Sequence, residues 1–209
     1  MNITIIIAII SLLVSAVTLY LAQLRPSKLI SKSGPFIKVY YADYESGGSV
    51  GLYLPVSIIN ESARTGTILN AAITLGRKDS PEQSYFMQWR EFQKLSIEKN
   101  AWVYEEMAHA LAIPGTSAIN KIIWFMWDAK SQPKLILREG TYIINFYFWD
   151  KKDKPPNCET HQFYVDDSIY TQLESYRVAK KPTVFDIRLD MEIEQNRLLT
   201  EHELRKLLG

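Results

Sequence analysis

The fold is decided by the stretch GTYIINFYFW at residues 140–149, where apolar side chains fill almost every position. Alternate residues of a strand point to opposite faces, so Tyr142, Ile144, Phe146 and Phe148 share one face and Ile143, Asn145, Tyr147 and Trp149 share the other. A charged turn follows at residues 150–154, two prolines close it, and residues 160–165 return as the partner strand. This pattern predicts an antiparallel β-hairpin whose first strand has a buried face.

Similar short strands lie on both sides of this hairpin in the sequence. Residues 52–58 alternate cleanly, and Pro55 within them indicates an edge position or a bulge. Further strands are predicted at residues 36–41, 67–75, 84–92, 119–127 and 183–190. Residues 102–111 fit a strand or a short helix equally well. Many short strands joined by turn residues predict a mainly β protein with an antiparallel sandwich.

The start of the central strand carries a recognisable local motif. Gly140 stands two residues before Tyr142, at the opening of an apolar strand. This motif resembles the tyrosine corner of immunoglobulin-like (Ig-like) domains, in which the tyrosine hydroxyl bonds to the backbone a few residues upstream. The resemblance implies an Ig-like sandwich, and the single cysteine excludes the disulfide-linked antibody type. With its apolar N-terminus, the chain is also similar to small single-pass bacterial membrane proteins.

The N-terminus is predicted to be a membrane anchor at residues 1–24. This segment has no Asp, Glu, Lys, Arg or His, and as a helix its apolar run would span about 33 Å, close to the thickness of a bilayer core. A cleaved signal peptide fits less well, because no basic residue precedes the run and no Ala-x-Ala site follows it. Arg25, Lys28, Lys32 and Lys38 follow the segment, which predicts a cytoplasmic soluble part. A periplasmic or extracellular location stays open as the alternative.

Four segments are expected along the chain. A juxtamembrane linker at residues 25–35 follows the anchor, and the Ig-like sandwich occupies residues 36–166. Residues 167–209 form an extension with short helices and a strand. A helix is predicted at 168–176, with Asp166 and Asp167 available to cap it, and an amphipathic helix is predicted after Thr200.

The composition argues against several chemical functions. With 24 basic and 23 acidic residues, no net charge would attract nucleic acid. One cysteine and three distant histidines exclude a disulfide framework and leave little material for a metal centre. Cys158 and His161 are half of a zinc site at most, and a structural pair at a hairpin edge is the better interpretation. The sequence therefore predicts no catalytic residue, no metal and no cofactor.

The predicted function is non-catalytic: a membrane-tethered module that recruits or scaffolds a protein partner. The alternative is a sensory domain that binds a glycan or peptide on an exposed aromatic sheet face formed by Trp127, Tyr147 and Trp149. Burial of that face against another domain or copy is the competing interpretation. Ser11, Ser15 and Thr18 recur on one side of the anchor, a spacing that allows close packing in a homo-oligomer.

Overall fold

The computed structural model describes residues 3–21, 25–42, 49–99, 101–128, 130–180, 184–190 and 200–208, and within them the protein is mainly β. The helices are α1 (Ile3–Leu19), α2 (Asp167–Val178) and α3 (Glu201–Leu208). The strands are β1 (Leu29–Ser33), β2 (Phe36–Ala42), β3 (Ser49–Asn60), β4 (Gly66–Ile68), β5 (Asn70–Arg77), β6 (Ser80–Ser96), β7 (Ala101–Met107), β8 (Leu111–Ile113), β9 (Ser117–Trp127), β10 (Gly140–Trp149), β11 (Asn157–Val165) and β12 (Val184–Arg188).

Ten of these strands form one open, curled antiparallel sheet. Eight of them follow the order β11-β10-β5-β6-β9-β3-β2-β12, while β1 pairs with the second half of β3 and β7 with the second half of β6. The long strand β6 pairs with β5 near its start and with β9 further along, so it carries the chain from one half of the sheet to the other. A register shift between Trp89 and Glu91 lies at this passage, where a bulge increases the local bend.

The curl brings the two ends of the sheet together around one core. Alternate residues of both halves are buried in a single hydrophobic cluster, which includes Phe92 and Phe125 from one half and Phe146 from the other. At the closing edge, Asp190 N donates to Gln162 O at 2.7 Å. Each half of the sheet buries its alternate apolar residues against the other half. The period-two pattern of the sequence therefore produces a sheet that curls around one core.

Helix α2 packs against the core beside β11. Leu173 is buried, and Asp166 caps the helix because its carboxylate accepts a hydrogen bond from Ile169 N at 2.7 Å. This is one of the two capping residues that the sequence predicts.

Several predicted elements change in detail. The ambiguous stretch 102–111 is strand rather than helix, since β7 pairs with β6 and β8 pairs with β4. Residues 29–33, inside the segment predicted as a linker, form β1 and pair with β3. The strand predicted at 67–75 is two strands, β4 and β5, which belong to different sheets.

The N-terminal helix α1 is 17 residues long and buries none of its side chains. Among the residues that the structure describes, no helix has the length and apolarity needed to cross a membrane. The ends of the predicted anchor, residues 1–2 and 22–24, lie outside the described residues.

Candidate functional site

The predicted tyrosine corner is a buried structural device. Tyr142 Oη accepts a hydrogen bond from Arg138 N at 2.8 Å, which is the upstream backbone bond that the resemblance implies. The ring is buried and stacks on Phe163 at 5.3 Å between centroids. Gly140 has φ +141°, a conformation that side chains with a Cβ rarely adopt. These contacts bury Tyr142 and fix the start of β10.

The three aromatic residues predicted as a binding face do not lie together. Tyr147 and Trp149 share the outer face of β10, with ring centroids 6.4 Å apart. Trp127 lies on β9, which is separated from β10 by β5 and β6 in the sheet order. It packs against the core, meets Tyr85 edge-on at 5.1 Å, and its Nε1 donates to Pro133 O at 3.0 Å. A binding role for the Tyr147–Trp149 pair stays a prediction.

The predicted packing face of the anchor is exposed. Ser11, Ser15 and Thr18 are all solvent-exposed on α1. Thr18 Oγ1 donates to Val14 O at 2.8 Å, so this hydroxyl is satisfied within its own helix.

A different group of aromatic residues gathers on the outer face of the other half of the sheet. Tyr53 lies at its centre, stacked on Tyr40 at 5.3 Å and near-parallel to Trp124 at 6.5 Å, with Trp102 edge-on at 5.6 Å. We call these four residues the Tyr53 cluster. Tyr40 lies flat over Gly51, where an added Cβ would be 1.9 Å from the ring. Burial is the main cause that raises the pKa of both Tyr40 and Tyr53.

The Tyr53 cluster belongs to a row of directly paired residues that crosses the sheet. Lys38 and Trp124 both stand opposite Tyr53 on the neighbouring strands, and Asp186 stands opposite Lys38. Lys38 Nζ is 3.0 Å from the Asp186 carboxylate and 4.5 Å from the centre of the Trp102 ring. The charge on Lys38 is therefore held between a carboxylate and an aromatic face.

The contact between Trp102 and Tyr53 defines the shape of this region. In the sheet, β7 is separated from β3 by β6 and β9, so a flat sheet would keep these two rings far apart. The hairpin of residues 91–99 and 101–107 therefore bends over the outer face, and we call it the arm. The arm exposes large apolar side chains: Leu95 (58%), Ile97 (91%), Tyr104 (54%) and Met107 (61%).

The bend opens a groove between the arm and the sheet. β9 pairs with β3 along its whole length but with β6 only from Ile122 to Phe125. Beyond that point the two strands diverge, and a groove of about 600 Å³ opens there. Its lining comes from residues 93–95 of β6 and 120–122 of β9, together with residues 32–34 and 55–57 and Glu105. Lys32, Lys94 and Lys121 line it, and Lys121 Nζ is 2.9 Å from both Glu105 and Glu106. The groove thus combines strand edges with cationic side chains.

A polar seam joins the ends of the curled sheet. Glu159 on β11 accepts hydrogen bonds from Ser31 Oγ (2.8 Å), Ser33 Oγ (3.2 Å) and Ser33 N (3.0 Å). His161 lies between two carboxylates: its Nε2 is 3.0 Å from Glu159 Oε1, and its Nδ1 contacts Asp190. We call these five residues the seam.

The contacts within the seam shift the pKa values of Glu159 and His161. Burial alone would raise the pKa of Glu159, but the contacts with His161, Ser33 and Ser31 outweigh it and lower that pKa to about 2. The contact with Glu159, followed by that with Asp190, raises the pKa of His161 against the effect of burial. Both serine hydroxyls donate to Glu159 and not to the imidazole. The seam therefore links β1 to β11, and it does not have the arrangement of a nucleophile and its base.

Cys158 and His161, considered above as half of a zinc site, and the sequon residue Asn60 have surroundings that indicate structural roles. Cys158 is exposed, and it lies three residues from His161 on the same strand, so the two side chains point to opposite faces. Among the described residues, no group of His, Cys, Asp and Glu is placed to hold a metal ion. Asn60 begins an Asn-x-Ser tripeptide but is buried, and its Nδ2 donates to the carbonyls of Arg64, Ile113 and Pro114.

Comparison with known proteins adds no relative. The sequence matches no protein-family model, and no curated protein is significantly similar to it. Function must therefore be argued from the arm, the groove and the N-terminal helix themselves.

Proposed function

We propose that the chain is a non-catalytic, membrane-tethered module that recruits a protein partner. The observation that carries this proposal is the arm, which bends out of the sheet and presents four large apolar side chains to solvent. Large exposed apolar side chains, including an aromatic one such as Tyr104, are typical of protein-binding sites. The arm also contains β7, which lies off the main path of the sheet and is suited to pairing with another chain.

The apolar surface of α1 supports the tether. Apart from the partly buried Ile6, its isoleucine, leucine and valine side chains are exposed, and none of its residues is ionisable. Leaving that surface in water costs roughly 25 cal/mol per Å², which a bilayer would remove. The basic residues that follow α1 favour a cytoplasmic domain, with the periplasmic or extracellular side as the alternative. Tethering would raise the concentration of the domain near partners at the membrane.

We also propose that the β domain is an Ig-like sandwich. In that family the strand with the tyrosine corner lies between its hairpin partner and one earlier strand. Here β10 lies between β11 and β5, while β3 lies between β2 and β9 in the other half. This order and the Tyr142 hydrogen bond support the assignment, which carries a fold and no activity.

Cell fractionation tests the tether. The full chain should pellet with membranes and resist extraction by high salt, because its attachment is apolar rather than electrostatic. A double substitution, Ile6→Lys with Ile10→Lys, should release it to the soluble fraction. The matched control, Ile6→Leu with Ile10→Leu, should stay membrane-bound. A wild-type chain that is soluble, or that salt releases, contradicts the tether.

Site-specific photo-crosslinking tests recruitment. A photoreactive residue replacing Tyr104 on the arm should form a discrete crosslinked product in cells. The control position is Lys152 in the exposed turn between β10 and β11, where no product is expected. Equal products at both positions, or none at Tyr104, would contradict recruitment through the arm.

A second candidate function is binding of a glycan or peptide at Tyr147 and Trp149. Their tilted pair on the outer face of β10 supports it, since sugars and peptides stack on such rings. Titration with an oligosaccharide panel should quench tryptophan fluorescence in the wild type and much less in Trp149→Ala. The absence of any saturable quenching rejects this candidate.

A further inference from the structure

The register of the sheet locates where β6 and β9 separate. Ile122 pairs with Gln93, so a continuing ladder would place Asn120 opposite Leu95. In the part of the chain that the structure describes, no such pair forms, and both residues line the 600 Å³ groove instead. We call the opening between residues 117–121 of β9 and residues 94–96 of β6 the fork.

Both sides of the fork are strand edges. Residues 117–121 remain in β conformation because β3 pairs with them on their other side. Residues 94–96 remain in β conformation because β7 pairs with them. Alternate backbone N–H and C=O groups of each strand must therefore face the opening, where they need partners.

The fork also has a consistent side-chain chemistry. Leu95 is exposed by 58%, and Ile122 and Pro55 add apolar surface on the neighbouring positions. Among the described residues that line the groove, three are lysines and only Glu105 is a carboxylate. Lys121 pairs with both Glu105 and Glu106, and these three side chains carry one net negative charge. Lys32 and Lys94 outweigh it and leave the groove with one net positive charge. A complementary ligand is extended, partly apolar and acidic.

We infer that the fork binds an extended acidic segment of the partner protein as an additional β-strand between β6 and β9. The inference rests on the proposed function and specifies the chemistry of the partner segment. Backbone hydrogen bonds to the two edges would supply affinity. Contacts between the groove and alternate side chains of the bound segment would supply specificity. Acidic residues of the segment would pair with Lys32 and Lys94, which favours acidic over basic strands.

A random dodecapeptide library displayed on phage tests this inference with the full chain in detergent micelles. Selected peptides should alternate apolar and acidic residues. Reversal of both groove charges, Lys32→Glu with Lys94→Glu, should weaken their binding roughly tenfold. The control reversal, Lys152→Glu with Lys154→Glu in the exposed turn, should leave it unchanged.

Hydrogen exchange separates strand addition from mere charge attraction. On peptide binding, backbone amides within 94–96 and 117–121 should gain protection, whereas N-methylation of alternate peptide amides should abolish binding. The inference is overturned if no peptide is enriched, if binding ignores the groove lysines, or if protection appears elsewhere. It is also overturned if phosphatidylserine vesicles, and not peptides, bind in a manner that depends on Lys32 and Lys94.

These outcomes are distinct from a failure of the proposed function. A crosslinked partner at Tyr104 together with an empty fork would overturn only the strand-addition inference. A fork that takes acidic peptides in a chain that gives no crosslink in cells would leave the inference standing and contradict recruitment through the arm.

Discussion

Replacing Glu159 with glutamine should destabilise the fold by weakening the seam. The carboxylate of Glu159 accepts three hydrogen bonds from β1 and lies 3.0 Å from His161 Nε2. Its pKa falls from 4.5 to about 2 on folding. Each pKa unit corresponds to 1.36 kcal/mol, so ionised Glu159 stabilises the fold by roughly 3 kcal/mol relative to the neutral acid. Glutamine keeps the shape and one acceptor but loses the charge, so we expect a loss of about 2–3 kcal/mol.

The pH dependence gives this prediction a specific signature. A carboxyl whose pKa is lowered on folding stabilises the protein above its unfolded pKa, and this contribution is lost as the pH falls from 4.5 toward 2. His161 has a raised pKa, so its contribution is complete below 6.5 and is lost as the pH rises through the raised value. The seam therefore contributes most between about pH 4.5 and 6.5.

Urea unfolding of the full chain in detergent micelles, followed by tryptophan fluorescence, measures the effect. At pH 6 the Glu159→Gln variant should have the lower free energy of unfolding, and the difference should shrink as the pH approaches 2. The control is Glu82→Gln, at an exposed position of β6. A difference below about 0.5 kcal/mol at pH 6, or one that does not vary with pH, would refute the reasoning.

Three further substitutions probe the core and its turns. Gly51→Ala places a Cβ 1.9 Å from the Tyr40 ring, so it should cost about 1–3 kcal/mol and alter the near-UV circular dichroism of the Tyr53 cluster. Tyr142→Phe removes the acceptor of Arg138 N and should cost about 1–2 kcal/mol in urea unfolding. Asn60→Ala leaves three carbonyls without their donor in a buried loop contact and should lower the free energy of unfolding by roughly 3 kcal/mol.

Each of these substitutions has a matched control in the chain. Gly34→Ala meets its nearest neighbour at 3.2 Å and should cost much less than Gly51→Ala. Tyr147→Phe on the outer face should be nearly neutral beside Tyr142→Phe, and exposed Asn120→Ala should be milder than Asn60→Ala. Equal losses within any of these pairs would show that the named contact is not the cause.

The sequence predicts those strands whose pattern is local. Residues 140–149 alternate, a charged turn with prolines follows, and the hairpin with β11 needs no distant information. The Tyr142 hydrogen bond was predictable for the same reason, since its partner lies four residues upstream. By contrast, β1 contains Ser31, Lys32 and Ser33, which are typical of a linker, and it becomes a strand through pairing with β3.

The candidate site depends on contacts that no local pattern encodes. Ser31 and Glu159 are 128 residues apart, and they meet only because the sheet curls until its ends touch. The Tyr53 cluster was missed because Tyr53 lies on the outer face of β3, where a lone aromatic residue is ordinary. The signal was present at three outward positions, Tyr40, Tyr53 and Trp124, but their pairing depends on the strand order.

The arm and the fork were beyond sequence reasoning for a different reason. Residues 84–92 predict a strand, but the structure extends it to Ser96 and bends it through a bulge near Trp89. Such a bend depends on which neighbours pair on each side, and β6 changes from β5 to β9 along its length. The surroundings of Trp127 also depend on the strand order, because it packs on Tyr85 and the core from β9, and β5 and β6 lie between β9 and β10.

The most direct test of the account combines its two parts, the tether and the arm. Photo-crosslinking from Tyr104 should be compared in cells between the wild-type chain and the Ile6→Lys, Ile10→Lys variant at equal expression. If attachment to the membrane concentrates the arm near its partner, the yield of the crosslinked product should fall at least about tenfold in the released variant. An unchanged yield from a fully soluble variant would contradict membrane tethering as the mechanism of recruitment.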